Sequence, residues 1–189
     1  SWISQNPVEL GVNWACTMDV AIRAVNWIWG YYFFYDSPSL TKEFKIKFFK
    51  NLFLHGRHII NNLEFGLLRG NHYLSDIAGL IYLGIFFRET KEGKKWFEMG
   101  LNVLKEEMQF QVYPDGVDFE GSISYHRLVT EYEPFAAVLD RAAHPVFDRH
   151  PPFPGRAVVQ GAVHDVAVPA PLFRLEEFKF GCVNDLLRA

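Results

Sequence analysis

Two short runs set side by side the kinds of groups that hold an acid or move a proton. Asn71-His72-Tyr73 opens the stretch "GNHYLSDIAGLIYLG", and Tyr125-His126 closes the loop "YPDGVDFEGSISYH". An amide and an imidazole donate hydrogen bonds to a carboxylate, and a phenol or an imidazole can give or take a proton. The same loop crowds Asp115, Asp118 and Glu120 next to Ser122 and Ser124, more polar groups than a turn between two apolar helices needs. Each has a plainer reading. Asn71 is equally suited to capping the helix that follows it, Asp115-Gly116 to a simple turn, and Glu120 to capping a neighbouring backbone. His55 and His58, three apart in "HGRH", read as core or solvated histidines rather than metal ligands, and Trp14, Trp27 and Trp29 read as core.

The elements that must position these groups are helices. Apolar periodicity predicts a mostly buried helix from Asp19 to Tyr35 and an amphipathic one capped by Ser39 and running to about Glu64. A helix over Leu74 to Phe87 is apolar on nearly every face, and one over Trp96 to Met108 carries a one-sided stripe. A last helix over Tyr125 to Leu139 should kink at Pro134. Polar clusters recur at helix starts: Asn13-Trp14, Asn71-His72 and Tyr125-His126. The last two lie 54 residues apart, and the first lies 58 before the second. With two helices between successive starts, all three clusters should face one end of an all-α stack of helical hairpins. Unpaired N–H groups at those helix starts would favour a carboxylate or sulfate ligand.

From about Asp140 the pattern changes. Six of the ten prolines fall in the last 50 residues, and helical periodicity stops. The chain therefore divides into a helical unit over 1–140 and an irregular Pro-rich tail over 141–189, read as a linker, a small cap or an out-of-frame segment. Aromatic residues are abundant (18 Phe, 8 Tyr, 5 Trp), as a thick helical core or a sugar-stacking surface would require. A formal net charge of −3 argues against a nucleic-acid partner. Cys16 and Cys182 are too few for a disulfide framework and have no metal-ligand spacing, so no metal site is assigned. No apolar run is long enough to span a membrane, and no signal peptide is visible.

Three motifs, "NPVELGVNWACTMDVAIRAVNWIW", "NLEFGLLRGNHYLSDIAGLIYLGIFF" and "QVYPDGVDFEGSISYHRLVTE", together resemble the heparinase II/III-like polysaccharide lyases, a group that includes oligoalginate lyases. The resemblance runs from about Ser1 to Glu131 and excludes the tail. It implies an incomplete (α/α) toroid, truncated here, that in the family precedes antiparallel β-sheet domains. It also implies β-elimination on a 4-linked uronic-acid polymer such as a glycosaminoglycan or alginate, by a bacterial enzyme acting in the periplasm or outside the cell. Carried over by position, Asn71 and His72 neutralise the uronate carboxylate and Tyr125 is the acid/base. Glu120 and His126 support them, and Arg23 and Asn13 line the same groove. No cofactor is expected in this chain, and the structural zinc of some relatives belongs to the sheet domain. A further His and an Arg come in such enzymes from later segments that find no match here, so the 189-residue chain alone should turn over little.

Two other classes fit some of the same residues. A glycoside hydrolase on an α/α toroid would use Asp115, Asp118 or Glu120 as its carboxylate pair. A non-catalytic acidic-glycan-binding protein would keep the groove without turnover.

Overall fold

The structure, a computed structural model, describes residues 2–67 and 69–129. The tail over 141–189 and the Pro134 kink lie outside the described residues. Among those described, the elements in order are α1 (Trp2–Gln5), a 3-10 turn (Val12–Trp14), α2 (Thr17–Phe33), α3 (Lys42–Asn61), α4 (Asn71–Phe86) and α5 (Lys91–Gln111). A helical turn follows over 123–129. A single bridge, Val112 to Asp118, closes the loop after α5, and no strand is found among the described residues. This is the all-α stack of hairpins that the periodicity predicts, with α2–α3 and α4–α5 as successive hairpins.

Helix α4 is the centre. Leu74, Ile77, Leu80, Ile81 and Leu83 are all at most 2% exposed, so its apolar residues are covered on every side. Each such side chain contributes about 1.5–3 kcal/mol on burial. Close approach needs small residues. A Cβ on Gly79 would stand 2.7 Å from Ala21 Cβ on α2, and one on Gly84 would stand 2.6 Å from the backbone nitrogen of Phe97 on α5. Much of the remaining core is aromatic. Phe53 packs on Phe87 and Trp96, and Phe87 meets Phe86, which continues the cluster through Tyr31, Phe48 and Phe49. Trp14 is buried and Trp27 packs against the core, as the sequence predicts.

The helix starts fall into two kinds. Thr41 caps α3 by accepting from Phe44 N, and Thr90 caps α5 by accepting from Gly93 N. Helices α2 and α4 have no cap of their own: Cys16 and Gly70 precede them, and neither makes a side-chain capping bond. Their free N–H groups are met by distant carboxylates. Glu64 accepts from Thr17 N at 3.1 Å, and Glu120 accepts from Asn71 N at 2.7 Å. The two helices start at one end of the stack, and that end is held together by acids.

Candidate functional site

Asn71 is the first residue of α4, not its cap, and it is 6% exposed. The capping group arrives from 49 residues later. Glu120 Oε1 takes the backbone N–H of Asn71, and its two oxygens lie 3.0 and 2.8 Å from Asn71 Nδ2. Asn71 Oδ1 is buried without a partner. This clasp fastens the loop after α5 to the mouth of α4. Gly70 makes room for it, since a Cβ there would come within 2.8 Å of Glu120 Oε1.

The loop is braced internally. Tyr113 N donates to Val117 O, Phe119 N to Gln111 O, and Glu120 N to Asp118 Oδ2 at 3.2 Å. Asp118 N donates to His126 Nδ1 at 3.3 Å, which ties the helical turn over 123–129 back onto the loop. Burial, then the neighbouring Glu120, raises the Asp118 carboxyl above its ordinary range. Tyr125 lies on that helical turn, 44% exposed. Asp115 does no more than accept from Val117 N within the turn.

His72 is more than half exposed, and its Nδ1 lies 2.7 Å from Glu64 Oε2. With Nδ1–H given to Glu64, Nε2 is the acceptor of the neutral ring and becomes a donor on protonation. Glu64 N in turn donates to Asp76 Oδ2 at 2.8 Å. Asp76 is fully buried, and burial followed by the charge of Glu64 pushes its carboxyl up to about 7.

Two of the three polar clusters, Asn71-His72 and Tyr125-His126, are drawn together, whereas Asn13 bonds Asn6 and Trp14 packs on His55 and His58. Glu64 joins the start of α2 to His72, Glu120 joins Asn71 to the loop, and Asp118 joins the loop to His126. The expectation that bare helix N-termini would serve as the anion site does not hold, because Glu64 and Glu120 already occupy those of α2 and α4. Arg23 and Asn13 are engaged elsewhere. Arg23 Nε donates to His55 Nε2 at 3.0 Å, and its guanidinium lies over Trp2 and Trp14. Asn13 Nδ2 donates to Asn6 Oδ1. His55 donates from Nδ1 to Asn51 O, and burial lowers its pKa to about 3, so it is a neutral core histidine. Sequence reasoning missed Glu64 and Asp76. The signal available was the lack of a capping side chain at Cys16 and Gly70, which requires a partner from elsewhere.

Fold and site together define a helical-hairpin protein with a polar mouth at one end of its stack. The model of the family described as heparinase II/III N-terminus matches residues 1–154, and the chain belongs to that family. A heparin-sulfate lyase of Bacteroides stercoris is 39% identical over 93 residues, covering 49% of this chain and 14% of that protein. One of Pedobacter heparinus is 28% identical over 130 residues, covering 66% and 19%. A solved heparinase III, the BT4657 gene product, superposes with a TM-score of 0.60 at 29% identity, covering 73% of this chain and 24% of that one. The chain thus spans less than a quarter of the length of these relatives. The match to the solved heparinase III supports the assignment of these hairpins to an (α/α) toroid.

Proposed function

We propose that this chain is the part of a polysaccharide lyase that carries Tyr125 as acid/base and Asn71 with His72 as the carboxylate-neutralising pair. The observation that carries the reading is the Glu120–Asn71 clasp, which holds the Tyr125 loop against the helix mouth bearing the Asn-His pair. The substrate is a 4-linked uronate polymer, with a heparin-sulfate type first to be tried because the relatives above bear that name.

In β-elimination the C5–H and C4–O4 bonds break, a C4=C5 double bond forms, and the proton ends on O4. The C5 proton is weakly acidic, so charge developing on the C6 carboxylate must be met by donors. His72 supplies one from Nε2 when protonated, its ring fixed by Glu64. Asn71 is held at the helix mouth by Glu120, and its amide is the second donor once Nδ2 turns from Glu120 to the substrate carboxylate. Tyr125, partly exposed, removes the C5 proton as phenolate and returns it to the leaving O4. His126 and Glu120 position this apparatus. A polysaccharide polymer points to action in the periplasm or outside the cell, and no described helix is long and apolar enough to cross a membrane.

Tyr125→Phe in the full-length protein tests the assignment. It should abolish unsaturated product while leaving the thermal midpoint unchanged. A Phe variant that keeps its rate removes Tyr125 from the reaction. The hydrolase alternative is less well supported. Glu120 is committed to Asn71, Asp118 is buried and accepts from Glu120 N, and Asp115 serves its own turn, so these three do not form an open carboxylate pair.

A further inference from the structure

Cys16, Glu64 and His72 are far apart in sequence but each offers one ligand atom, and these atoms lie within 4.8 Å of one another. They come from the residue before α2, the segment after α3 and the first turn of α4. Behind Glu64 sits Asp76, fully buried, with Oδ1 lacking any partner. The charges acting on Cys16 are those of Glu64 and Asp19, and those acting on Asp76 are Glu64 and His72. Glu64 therefore stands against both the thiol and the imidazole, with the buried Asp76 carboxyl behind it.

We propose that Cys16, Glu64 and His72 form a binding site for a zinc-class divalent cation that bridges the starts of α2 and α4. A thiolate, an imidazole and a carboxylate are ligands that zinc takes tetrahedrally at about 2.0–2.3 Å, with water completing the shell. The soft sulfur argues against calcium or magnesium, which take oxygen. Ligand atoms around such an ion stand about 3.3–3.8 Å apart, so the widest pair closes by up to about 1 Å while His72 Nδ1 and Glu64 Oε2, now 2.7 Å apart, open by about 0.6 Å. The exposed ring of His72 and the half-buried Cys16 leave the ion a way in. On binding, the Cys16 thiol gives its proton to water. The ion takes the place of the proton between His72 Nδ1 and Glu64 Oε2, which moves to Nε2. Asp76, hydrogen-bonded through Glu64 N, stands as the outer support.

Cobalt(II) added to the 189-residue chain is the probe. A thiolate-to-cobalt charge-transfer band should saturate at one equivalent and vanish when zinc is added. Cys16→Ser should abolish the band, Cys182→Ser should keep it, and His72→Gln should weaken binding at least about tenfold. No band, a band that survives Cys16→Ser, or one lost only with Cys182→Ser would overturn the site. Because Cys16 immediately precedes α2, a second readout uses the unaltered chain. Zinc should slow alkylation of Cys16, located by peptide mass, and an unchanged rate would equally overturn it. Neither readout depends on lyase activity.

Discussion

Removing the Glu120 carboxylate is the most informative single perturbation. Glu120→Ala strips Asn71 of the acceptor for its backbone N–H and of both contacts to its amide, at a residue only 6% exposed. Losing a helix cap costs about 0.5–2 kcal/mol, and hydrogen bonds to a charged group are worth about 1.5–3 kcal/mol. These overlap, and Glu120 is itself partly exposed, so about 2–3 kcal/mol is expected. For a chain of this size that is a drop of about 5–10 °C in thermal midpoint. Glu120→Gln should recover part of it: its carbonyl still accepts from Asn71 N, but its amide faces another donor. Circular dichroism melts of the three proteins measure the series. If Glu120→Ala melts within about 1 °C of the parent, the clasp does not hold the loop, and the proposal that Tyr125 acts beside Asn71 loses its support.

Gly70→Ala should weaken the same clasp from the other side, since its Cβ would displace the Glu120 carboxylate; a destabilisation of about 1 kcal/mol by melt is expected. Gly84→Ala drives a Cβ into the backbone of α5 and should cost about 1–3 kcal/mol in urea unfolding. Asp76 and His55 make opposing pH dependences. Asp76 is raised in the fold to about 7, so the folded state binds the extra proton and stability falls as pH rises from about 4 to about 7. His55 is lowered to about 3, so the unfolded state binds the extra proton and stability falls as pH drops below about 6.5. In the parent these two trends offset one another over much of the mildly acid range. In Asp76→Asn only the histidine trend remains, and stability should fall by up to about 1.4 kcal/mol per unit below pH 6.5. An Asp76→Asn profile that matches the parent would contradict the burial assigned to that carboxyl.

The sequence shows the helices best where apolar spacing is continuous, and their starts least well. Helix α4 stands out because its later turns are apolar all round, yet it begins at Asn71, three residues before Leu74. Its polar first turn gives periodicity nothing to read. Helix α5 begins at Lys91 for the same reason: no apolar residue precedes Trp96, and only the Thr90 cap marks the start. Ser39 and Thr41 compete as the cap of α3, and Thr41 wins by bonding Phe44 N. Asn71, His72, Glu120 and His126 are legible as motif residues. That Glu120 grips Asn71 is not, nor is the joining of Cys16, Glu64 and His72, because these contacts span long separations that no local pattern records. Arg23 looked equally available in the sequence, but the ring of Trp2, Trp14 and His55 claims it.

The lyase reading meets its most direct test in the product formed from a uronate polymer by the full-length protein. Ultraviolet absorbance of the conjugated C4=C5 bond, read beside the count of new reducing ends, decides it. A lyase gives the two in equal amounts. New reducing ends without absorbance would mean hydrolysis, and polymer binding with neither would mean a glycan-binding protein; each would contradict the assignment.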